Sequence, residues 1–460
     1  MAETRFVAVV DIGKTNAKLV LHDLATGAEP FVATEPNPVR RDGPYPHFDA
    51  ERLWAFLLDA LARCAGVHRI DVLSVTTHGA AAALMDGSGL VLPVLDYESD
   101  ALEATGEAYD RVRPAFAETF SPRLPNGLNL GAQIFWLETA FPESFARARH
   151  ILTYPQYWVW RLTGAAASEV TSLGCHTDLW APAATKFSSL VDARGWRAKL
   201  PPIRSAFEAV GPLLPDLAAR VGLASRPVPV HCGIHDSNAS LLPHLLSRQA
   251  PFTVLSTGTW IVAFAVGGSL DGLDGARDTL ANVDALGRPV PSARFMGGRE
   301  FDLLTGGKAV QPTPAEAAAV LADGVTALPT FAPGTGPCPE AKGAWTRDPA
   351  SLSPGERTAA ASLYCALMTA EALAPMRADG PTTVEGPFAR NRLYLESLAL
   401  LTGRPVAAAT GATGTGAGAA LLAAGRGAPV RPPEVRAVVP DGNLEAPLAA
   451  YARRWRARAV

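Results

Sequence analysis

Two strand–turn–strand segments in opposite halves of the chain constrain its fold more than any other feature. In the first, the apolar residues 6–10 lead into a polar turn, Asp11–Asn16, and a second strand, Lys18–Leu24. In the second, a Ser/Thr/Gly turn joins the apolar segments Phe252–Leu255 and Trp260–Val266. Each pattern is typical of a hairpin. Their repetition predicts two similar sheets whose polar turns face one cleft.

The length of the chain agrees with two domains. A single hydrophobic core rarely serves 460 residues. Helical patterns alternate with strands in both halves, which predicts an α/β class with mixed sheets and covering helices. We place the boundary near residue 245. The expected domains are therefore 1–245, with the first polar turn, and 246–460, with the second.

Charge and hydropathy exclude several classes of function. The chain is 48% hydrophobic and 18% charged, with a formal net charge of -3, so nothing indicates a nucleic-acid partner. No apolar run has the length and purity of a membrane span or a signal peptide. The five cysteines are scattered, and no two form a CxxC pair, which favours reduced thiols over disulfides or zinc. We expect a cytoplasmic protein.

The first polar turn has the residues of a phosphate site. The tripeptide Gly13–Thr15 resembles the end of a P-loop, but that motif requires glycine where Ala8 stands. A glycine turn with hydroxyl and amide side chains can still direct N–H groups at an anion. Asp11 would lie beside the phosphates through a hydrated Mg²⁺, which takes few carboxylates and keeps waters. An ordinary polar turn remains the alternative.

Two further segments lie on either side of the domain boundary. The second turn, Ser256–Thr259, offers hydroxyls and a glycine, and Val254 stands where a nucleophile elbow would need glycine. Before it, Asp236 follows an apolar strand and opens a helix. That position suits either a catalytic carboxylate or a helix cap. His235 has no neighbours at metal-ligand spacing, so it is either a substrate contact or a buried, hydrogen-bonded histidine.

The last quarter of the chain contains two glycine segments. The segment Glu385–Asn391 follows a short strand and opens a helix. Further on, Gly414–Gly416 precedes an apolar helix and partly imitates a dinucleotide fingerprint. A second βαβ half is missing at the end of the chain, which argues against a Rossmann site.

The order of these motifs, over nearly the whole chain, resembles the FGGY carbohydrate kinases. Segments 74–79, 233–236 and 255–260 are most similar to the fuculokinase and rhamnulokinase branch. The resemblance implies an actin-like ATPase fold, in which two ribonuclease-H-like domains enclose a cleft for ATP, Mg²⁺ and sugar. One departure is Pro387, where many relatives carry a further glycine, because proline lacks a backbone N–H.

The same resemblance assigns a role to individual residues. It implies that Asp11 is associated with Mg²⁺ and that Asp236 is the general base in contact with the sugar. The remaining assignments are the first phosphate turn (Gly13, Lys14, Thr15 and Asn16), the second phosphate turn (Thr257 and Gly258), the adenosine region (Gly386, Asn391 and Gly414) and the sugar site (His78, Gly79, His235 and Asn282).

The expected reaction is phosphoryl transfer from ATP to the terminal hydroxyl of a ketose. Similarity to the branch favours a 6-deoxyketohexose such as L-fuculose or L-rhamnulose. A pentulose such as xylulose or ribulose is the alternative, since His78 and Gly79 also resemble the Met-His-Gly of xylulokinases. An ATP-driven clamp of the same fold and an NAD-linked dehydrogenase are the remaining alternatives. The expected partner is a small-molecule sugar, without nucleic acid or membrane, and a homodimer stays open.

Overall fold

The computed structural model describes residues 4–411, 414–428 and 430–459. The chain divides into two compact units. Unit 1 comprises Met1–Arg248, Asn282–Pro289 and Thr413–Pro432, and unit 2 comprises Gln249–Ala281, Val290–Ala412 and Pro433–Val460.

Short strands and helices alternate up to residue 248. The strands are β1 (Phe6–Ile12), β2 (Asn16–Asp23), β3 (Phe31–Pro36), β4 (Val39–Arg40), β5 (His47–Phe48), β6 (Val72–Thr77), β7 (Ala82–Met85), β8 (His150–Thr153), β9 (Trp180–Ala181), β10 (Lys186–Phe187), β11 (Ala209–Pro212), β12 (Pro229–His231) and β13 (Ile234–His235). The helices are α1 (Ala50–Val67), α2 (Gly106–Asp110), α3 (Phe116–Thr119), α4 (Leu130–Ala140), α5 (Pro142–Arg147), α6 (Tyr154–Thr163), α7 (Val170–Leu173), α8 (Ser189–Ala193), α9 (Pro215–Arg220) and α10 (Asp236–Ser247).

The remaining elements follow residue 249. The strands are β14 (Phe252–Thr257), β15 (Ile261–Val266), β16 (Thr279–Val283), β17 (Pro289–Phe295), β18 (Ala327–Leu328), β19 (Ala344–Trp345), β20 (Thr382–Glu385), β21 (Val406–Ala409) and β22 (Val435–Ala437). The helices are α11 (Gly297–Thr305), α12 (Pro314–Asp323), α13 (Pro354–Leu373), α14 (Arg392–Thr402), α15 (Thr415–Leu421) and α16 (Glu445–Ala459).

The main sheets of the two units repeat one topology. In unit 1 the order is β3-β2-β1-β6-β12-β11, with β1–β2 and β2–β3 antiparallel and β1–β6 and β6–β12 parallel. In unit 2 the order β17-β15-β14-β20-β21 has the same sequence of antiparallel and parallel pairs. The predicted duplication of strand–turn–strand units is confirmed, and each hairpin lies beside a parallel strand.

Helix α1 illustrates how the sequence builds the core of unit 1. Leu53, Leu57 and Leu61 recur at a spacing of four and are buried against the sheet. Asp49 caps the helix by accepting a hydrogen bond from the backbone N–H of Arg52 at 3.1 Å. The leucine spacing and the capping aspartate therefore define which face of α1 is buried and where the helix begins.

Helix α13 is the central helix of unit 2. Ser353 and Glu356 form a capping box at its start, and nearly all of its side chains are buried in the core. Among the described residues, the segment Pro354–Met376 is long and apolar enough to cross a membrane. Because 83% of its most apolar window is buried inside the protein, we assign it as a core helix of unit 2.

A tight turn joins residues 81–85 to residues 90–95: Met85 and Leu90 form an antiparallel bridge, and the N–H of Val91 donates to the carbonyl of Leu84 at 2.9 Å. Strand β7 pairs with β8 from a distant part of the chain, while residues 90–95 form only isolated bridges. The carboxylate of Asp86 accepts hydrogen bonds from the backbone N–H groups of Ser88 and Gly89. The turn thus returns the chain to β7 for a short antiparallel contact, without a continuous second strand.

Two segments from the second half of the sequence pack in unit 1. A Cβ on Gly174 would lie 2.4 Å from Cγ2 of Val283, and a Cβ on Gly418 would lie 1.8 Å from the carbonyl oxygen of Ala239. Glycine thus allows the loop at 282–289 to approach Gly174 and α15 to approach α10. The structure therefore differs from the continuous 246–460 domain of the sequence analysis.

Candidate active site

The turn between β1 and β2 is fixed by its own backbone and by Asn37. The N–H of Gly13 donates to the carbonyl of Asn16 at 2.8 Å, and the amide of Asn37 donates to the carbonyl of Gly13 at 2.9 Å. The backbone N–H of Asn37 donates to the carbonyl of Thr15 at 2.8 Å. Thr15 and Asn16 have exposed side chains. The turn therefore exposes the hydroxyl of Thr15 and the amide of Asn16 on a backbone that hydrogen bonds hold in place.

The side chain of Lys14, in the same turn, is held by ion pairs. Its Nζ forms ion pairs with the buried carboxylate of Asp96 and with Glu98, the latter at 3.3 Å. The same nitrogen lies 4.5 Å from the ring centre of Tyr97. Two carboxylates therefore hold this ammonium in the structure. The sequence could not reveal this pairing, since Asp96 lies 82 residues away along the chain.

Asp236 is the first residue of α10. Strand β13 pairs in parallel with β6, so that His235 lies opposite Thr77, and the helix begins immediately afterwards. Oδ1 of Asp236 accepts from the N–H of Ser237 at 2.6 Å and lies 3.1 Å from Nε2 of His235. The side chain is 32% exposed. A carboxylate here is stabilised by the helix dipole and remains accessible to a substrate.

His235 supports this carboxylate from a buried position. Its backbone N–H donates to Oγ1 of Thr171 at 3.1 Å. Burial lowers the pKa of the imidazole, but the negative charges of Cys175 and Asp236 outweigh it and leave the pKa above its usual range. A Cβ on Gly79 would lie 2.7 Å from Nε2 of His235. Gly79 is therefore needed to make room for the imidazole.

Cys175 and Glu169 complete the surroundings of His235. Burial raises the pKa of the Cys175 thiol, yet the neighbouring His176 and His235 lower it below its usual range. Glu169 is fully buried and accepts from the N–H of Thr171 at 3.0 Å. Burial raises the pKa of this carboxyl to about 7. The sequence analysis missed both residues, because neither occurs in a recognisable motif.

His78 is held as a neutral hydrogen-bond acceptor. Its ring lies 4.9 Å from Phe48, 5.6 Å from Tyr97 and 5.0 Å from Tyr154 between ring centres. Burial lowers the pKa of its imidazole to about 4. Nδ1 lies 2.8 Å from the carbonyl of Gly79, which can only accept, so Nδ1 carries the proton. Nε2 is then an acceptor, and it is buried without a partner among the described residues.

Asp11 has the properties of a carboxylate that requires a cation. Burial and the charge of Asp236 raise its pKa to about 6, while Lys18 lowers it. The described residues contain no cluster of three or more acidic, histidine or cysteine ligands. Mg²⁺ does not need such a cluster, because it is bound by one or two carboxylates together with waters and phosphates. Asp11, together with waters and phosphates, therefore fits this ion.

We expect Asp11→Asn to remove a pH dependence of stability. The raised pKa means that the fold favours the neutral acid, so this contribution is present below about pH 4 and is lost as the pH rises through 6. Metal-free Asp11→Asn should unfold with a free energy about 1–3 kcal/mol higher than the wild type at pH 7.5. Urea titrations should show this gap closing towards pH 4.

Magnesium provides the second part of the test. It should raise the melting temperature of the wild type at pH 7.5 and leave that of Asp11→Asn unchanged. Asp59→Asn, at an exposed position on α1, is the matched control and should behave as the wild type. An equal response of both Asp11 forms to magnesium would contradict the assignment.

The second turn is packed closely against two glycines of unit 2. Oγ1 of Thr257 donates to the carbonyl of Glu385 and accepts from the N–H of Phe388 at 3.2 Å. A Cβ on Gly386 would lie 1.9 Å from the carbonyl oxygen of Thr257, and one on Gly298 would lie 2.0 Å from that of Gly258. Gly298, which the sequence analysis missed, lies at the start of α11 directly after β17. The turn thus meets the N-terminus of a helix, a favourable place for phosphate.

A cavity of about 730 Å³ in unit 2 begins at this turn. Its lining includes Gly258, Gly298, Phe301, Asp302, Pro387 and Asn391. Asn391 also caps α14, since its Oδ1 accepts from the N–H of Tyr394 at 3.1 Å and its Nδ2 donates to Ser362 at 2.9 Å. One hydrogen bond at each functional atom of Asn391 therefore fixes its side chain at the edge of the cavity.

Gly414 and Asn282, two residues of the predicted site, lie outside this cavity. Gly414 is exposed before α15 in unit 1 and does not line this cavity. Strand β22 runs antiparallel to β21, so the glycines at 414–416 are not followed by the parallel strand of a dinucleotide site. Asn282 is buried in unit 1, next to Val283, which packs on Gly174 just before Cys175.

We expect Pro387→Gly to keep or improve affinity for ATP. Pro387 lines the cavity and opens a 3₁₀ turn, Pro387–Arg390. Glycine restores an N–H there, while the gain in unfolded-state entropy lowers stability by about 0.4–1 kcal/mol. Pro349→Gly, in a 3₁₀ turn outside the cavity, is the control for stability. Calorimetric titration with ATP decides, and a large loss of affinity in a folded variant would show that the ring itself shapes the pocket.

The duplicated sheets and polar turns define the two-domain fold that actin-like ATPases share with sugar kinases. Two family models match: the N-terminal domain of the FGGY family of carbohydrate kinases over residues 6–243, and the carbohydrate kinase FGGY C-terminal domain over residues 249–432. The chain belongs to the FGGY family, and it is a sugar kinase.

Solved structures agree over the full length. A carbohydrate kinase from Novosphingobium aromaticivorans is 40% identical, with a TM-score of 0.91 and 99% of each chain covered. Xylulose kinases from Brucella ovis and Rhodospirillum rubrum are each 21% identical over 98% of each chain, with TM-scores of 0.78 and 0.76. No curated protein matches the chain. The family assignment is confirmed, whereas the fuculokinase and rhamnulokinase branch is not.

Proposed function

We propose that the chain transfers the γ-phosphoryl group of ATP to the terminal hydroxyl of a ketose, with Asp236 as general base. The observation that supports this most is the placement of Asp236. Its carboxylate lies at the start of α10, is anchored through Oδ1, and is one-third exposed. A nucleotide-driven clamp would not need an accessible carboxylate beside a neutral acceptor such as His78.

The reaction is a direct transfer. The sugar oxygen attacks the γ-phosphorus, its proton passes to Asp236, and the bond to the β-phosphate oxygen breaks as ADP leaves. Mg²⁺, when bound at Asp11, would offset the negative charge of the phosphates. The imidazolium of His235 orients the carboxylate through Oδ1. Asp236 can therefore accept the proton on its other oxygen.

The remaining predicted residues have binding roles in this proposal. The exposed side-chain donors of Thr15 and Asn16 would bind phosphate oxygens, as would the turn at Thr257–Gly258, and Gly13 would shape the first turn. Nε2 of His78, a buried acceptor without a partner among the described residues, would accept a hydrogen bond from a sugar hydroxyl. Asn282 would contribute to the same sugar site. ATP, the co-substrate that the family implies, is abundant in the cytoplasm, where we place the protein.

The sugar that we propose is a 6-deoxyketohexose such as L-fuculose or L-rhamnulose. A pentulose is the second candidate, favoured by the similarity of His78 and Gly79 to xylulokinases and by the xylulose kinases among the similar structures. A coupled assay of ADP release over 6-deoxyketohexoses, ketopentoses and polyols tests the proposal. We expect the highest kcat/KM with a 6-deoxyketohexose. A preference for polyols would contradict a ketose substrate.

A further inference from the structure

Lys14 and His78 lie near the same two aromatic rings, those of Tyr97 and Phe48. The Nζ of Lys14 lies 4.5 Å from the ring centre of Tyr97 and 5.2 Å from that of Phe48. The ring centre of His78 lies 5.6 Å and 4.9 Å from those of the same two rings. The ammonium of Lys14 and the imidazole of His78 therefore both lie near the rings of Tyr97 and Phe48. An ammonium above aromatic rings is held by the ring quadrupoles as well as by its ion pairs.

His78 and Tyr97 lie close enough to Asp236 for its charge to act on them. The charge of Asp236 contributes to the raised pKa of Tyr97 and acts against the lowering of the His78 pKa by burial. The charge of Lys14 also acts on His78. Lys14, His78 and Asp236 thus act on one another in one region of unit 1, where the proposed base would meet the sugar.

The three positive groups in this region, Lys14, Lys18 and His235, each have negative partners. Asp96, whose side chain is 3% exposed, is paired with Lys14, and the backbone N–H of Glu98 also donates to it at 3.2 Å. Lys18 lies opposite Asp11 across β1 and β2. His235 lies against both Cys175 and Asp236. Counted once each, the carboxylates Asp96, Glu98, Asp11 and Asp236 outnumber the cations Lys14, Lys18 and His235, so these surroundings would repel an anionic sugar.

We propose that the Lys14–Asp96 pair selects uncharged sugars against sugar acids. The inference rests on the proposed function and adds its charge specificity. Lys14 supplies N–H donors to sugar hydroxyls, while Asp96 cancels its charge, so a carboxylate on the substrate has no free cation to meet. Removing the charge of Asp96 would turn the same lysine into a carboxylate site.

The test compares ketoses with aldonates in three variants. Asp96→Asn keeps size and shape, and it should raise the ratio of kcat/KM for gluconate or xylonate over that for rhamnulose or xylulose by about tenfold or more. Glu98→Gln is the matched control. It removes an equal charge from the same lysine, but at a side chain that is 63% exposed, where water screens the pair, so the ratio should change by less than about threefold. Lys14→Met should raise KM for the ketose and leave KM for ATP unchanged.

The outcomes separate the specificity from the proposed function. An unchanged ratio in folded Asp96→Asn, with normal ketose turnover in the wild type, would overturn the role of the pair alone. If Asp96→Asn does not fold, Lys14→Met decides, because a raised KM for ATP with an unchanged KM for sugar would place Lys14 on the phosphates. A wild type that phosphorylates no ketose would overturn the proposed function together with this inference.

Discussion

Asp236→Asn is expected to lower sugar-dependent ADP release by about 10²–10⁴-fold, the usual contribution of a general base. Asparagine has the same size and keeps the oxygen that accepts the N–H of Ser237 at 2.6 Å. Asp236 follows the N-cap His235, so asparagine loses only the interaction of the charge with the helix dipole, about 0.3–1 kcal/mol. The melting temperature and the affinity for ATP should therefore change little. Stopped assays with calorimetric controls measure both effects.

One further variant tests this interpretation. Ser237→Ala removes only the weaker contact of the hydroxyl to Oδ1, at 3.3 Å, and should cost far less activity. If Asp236→Asn keeps near-normal turnover, or is inactive only because it unfolds, Asp236 is a structural residue of α10.

Gly386→Ala should have the largest effect on stability and should abolish binding of ATP. Gly386 has φ 81° and ψ -159°, a conformation almost restricted to glycine, which costs other residues about 1–3 kcal/mol. The added Cβ would also lie 1.9 Å from the carbonyl oxygen of Thr257, so the second turn must move. We expect a total loss of more than about 3 kcal/mol in unfolding free energy.

Gly403→Ala is the control for a positive φ without a steric contact. Gly403 ends α14 with φ 65°, and a Cβ there would have no atom within 4 Å. Its cost should stay near 1 kcal/mol, with normal binding of ATP. Urea unfolding and thermal shift with ATP compare the two variants. Equal stability and equal binding would show that the contact with Thr257 is not essential to the turn.

The sequence allowed the local elements of the site to be predicted. The two hairpins begin and end within two residues of the predicted strands, because alternation and turn chemistry act over a few neighbours. The position of Asp236, between an apolar strand and a helix, was predicted for the same reason. These features depend on contacts that are close along the chain.

The features that were missed depend on residues far apart in sequence. Lys14 is oriented by Asp96, 82 residues away, and β7 pairs over its full length with the distant β8. The placement of α15 on α10 depends on the fit of Gly418 against Ala239. No periodicity or motif in a single sequence encodes such contacts, since each is decided by packing.

The central claim, phosphoryl transfer to a ketose, is tested most directly by stoichiometry. With ATP and the best ketose from the screen, ADP and sugar phosphate should form in a ratio of one to one, with little ADP in the absence of sugar. Phosphorus NMR of the same mixtures identifies both products. ADP formation that is indifferent to every sugar, or that yields inorganic phosphate in place of a sugar phosphate, would contradict the account.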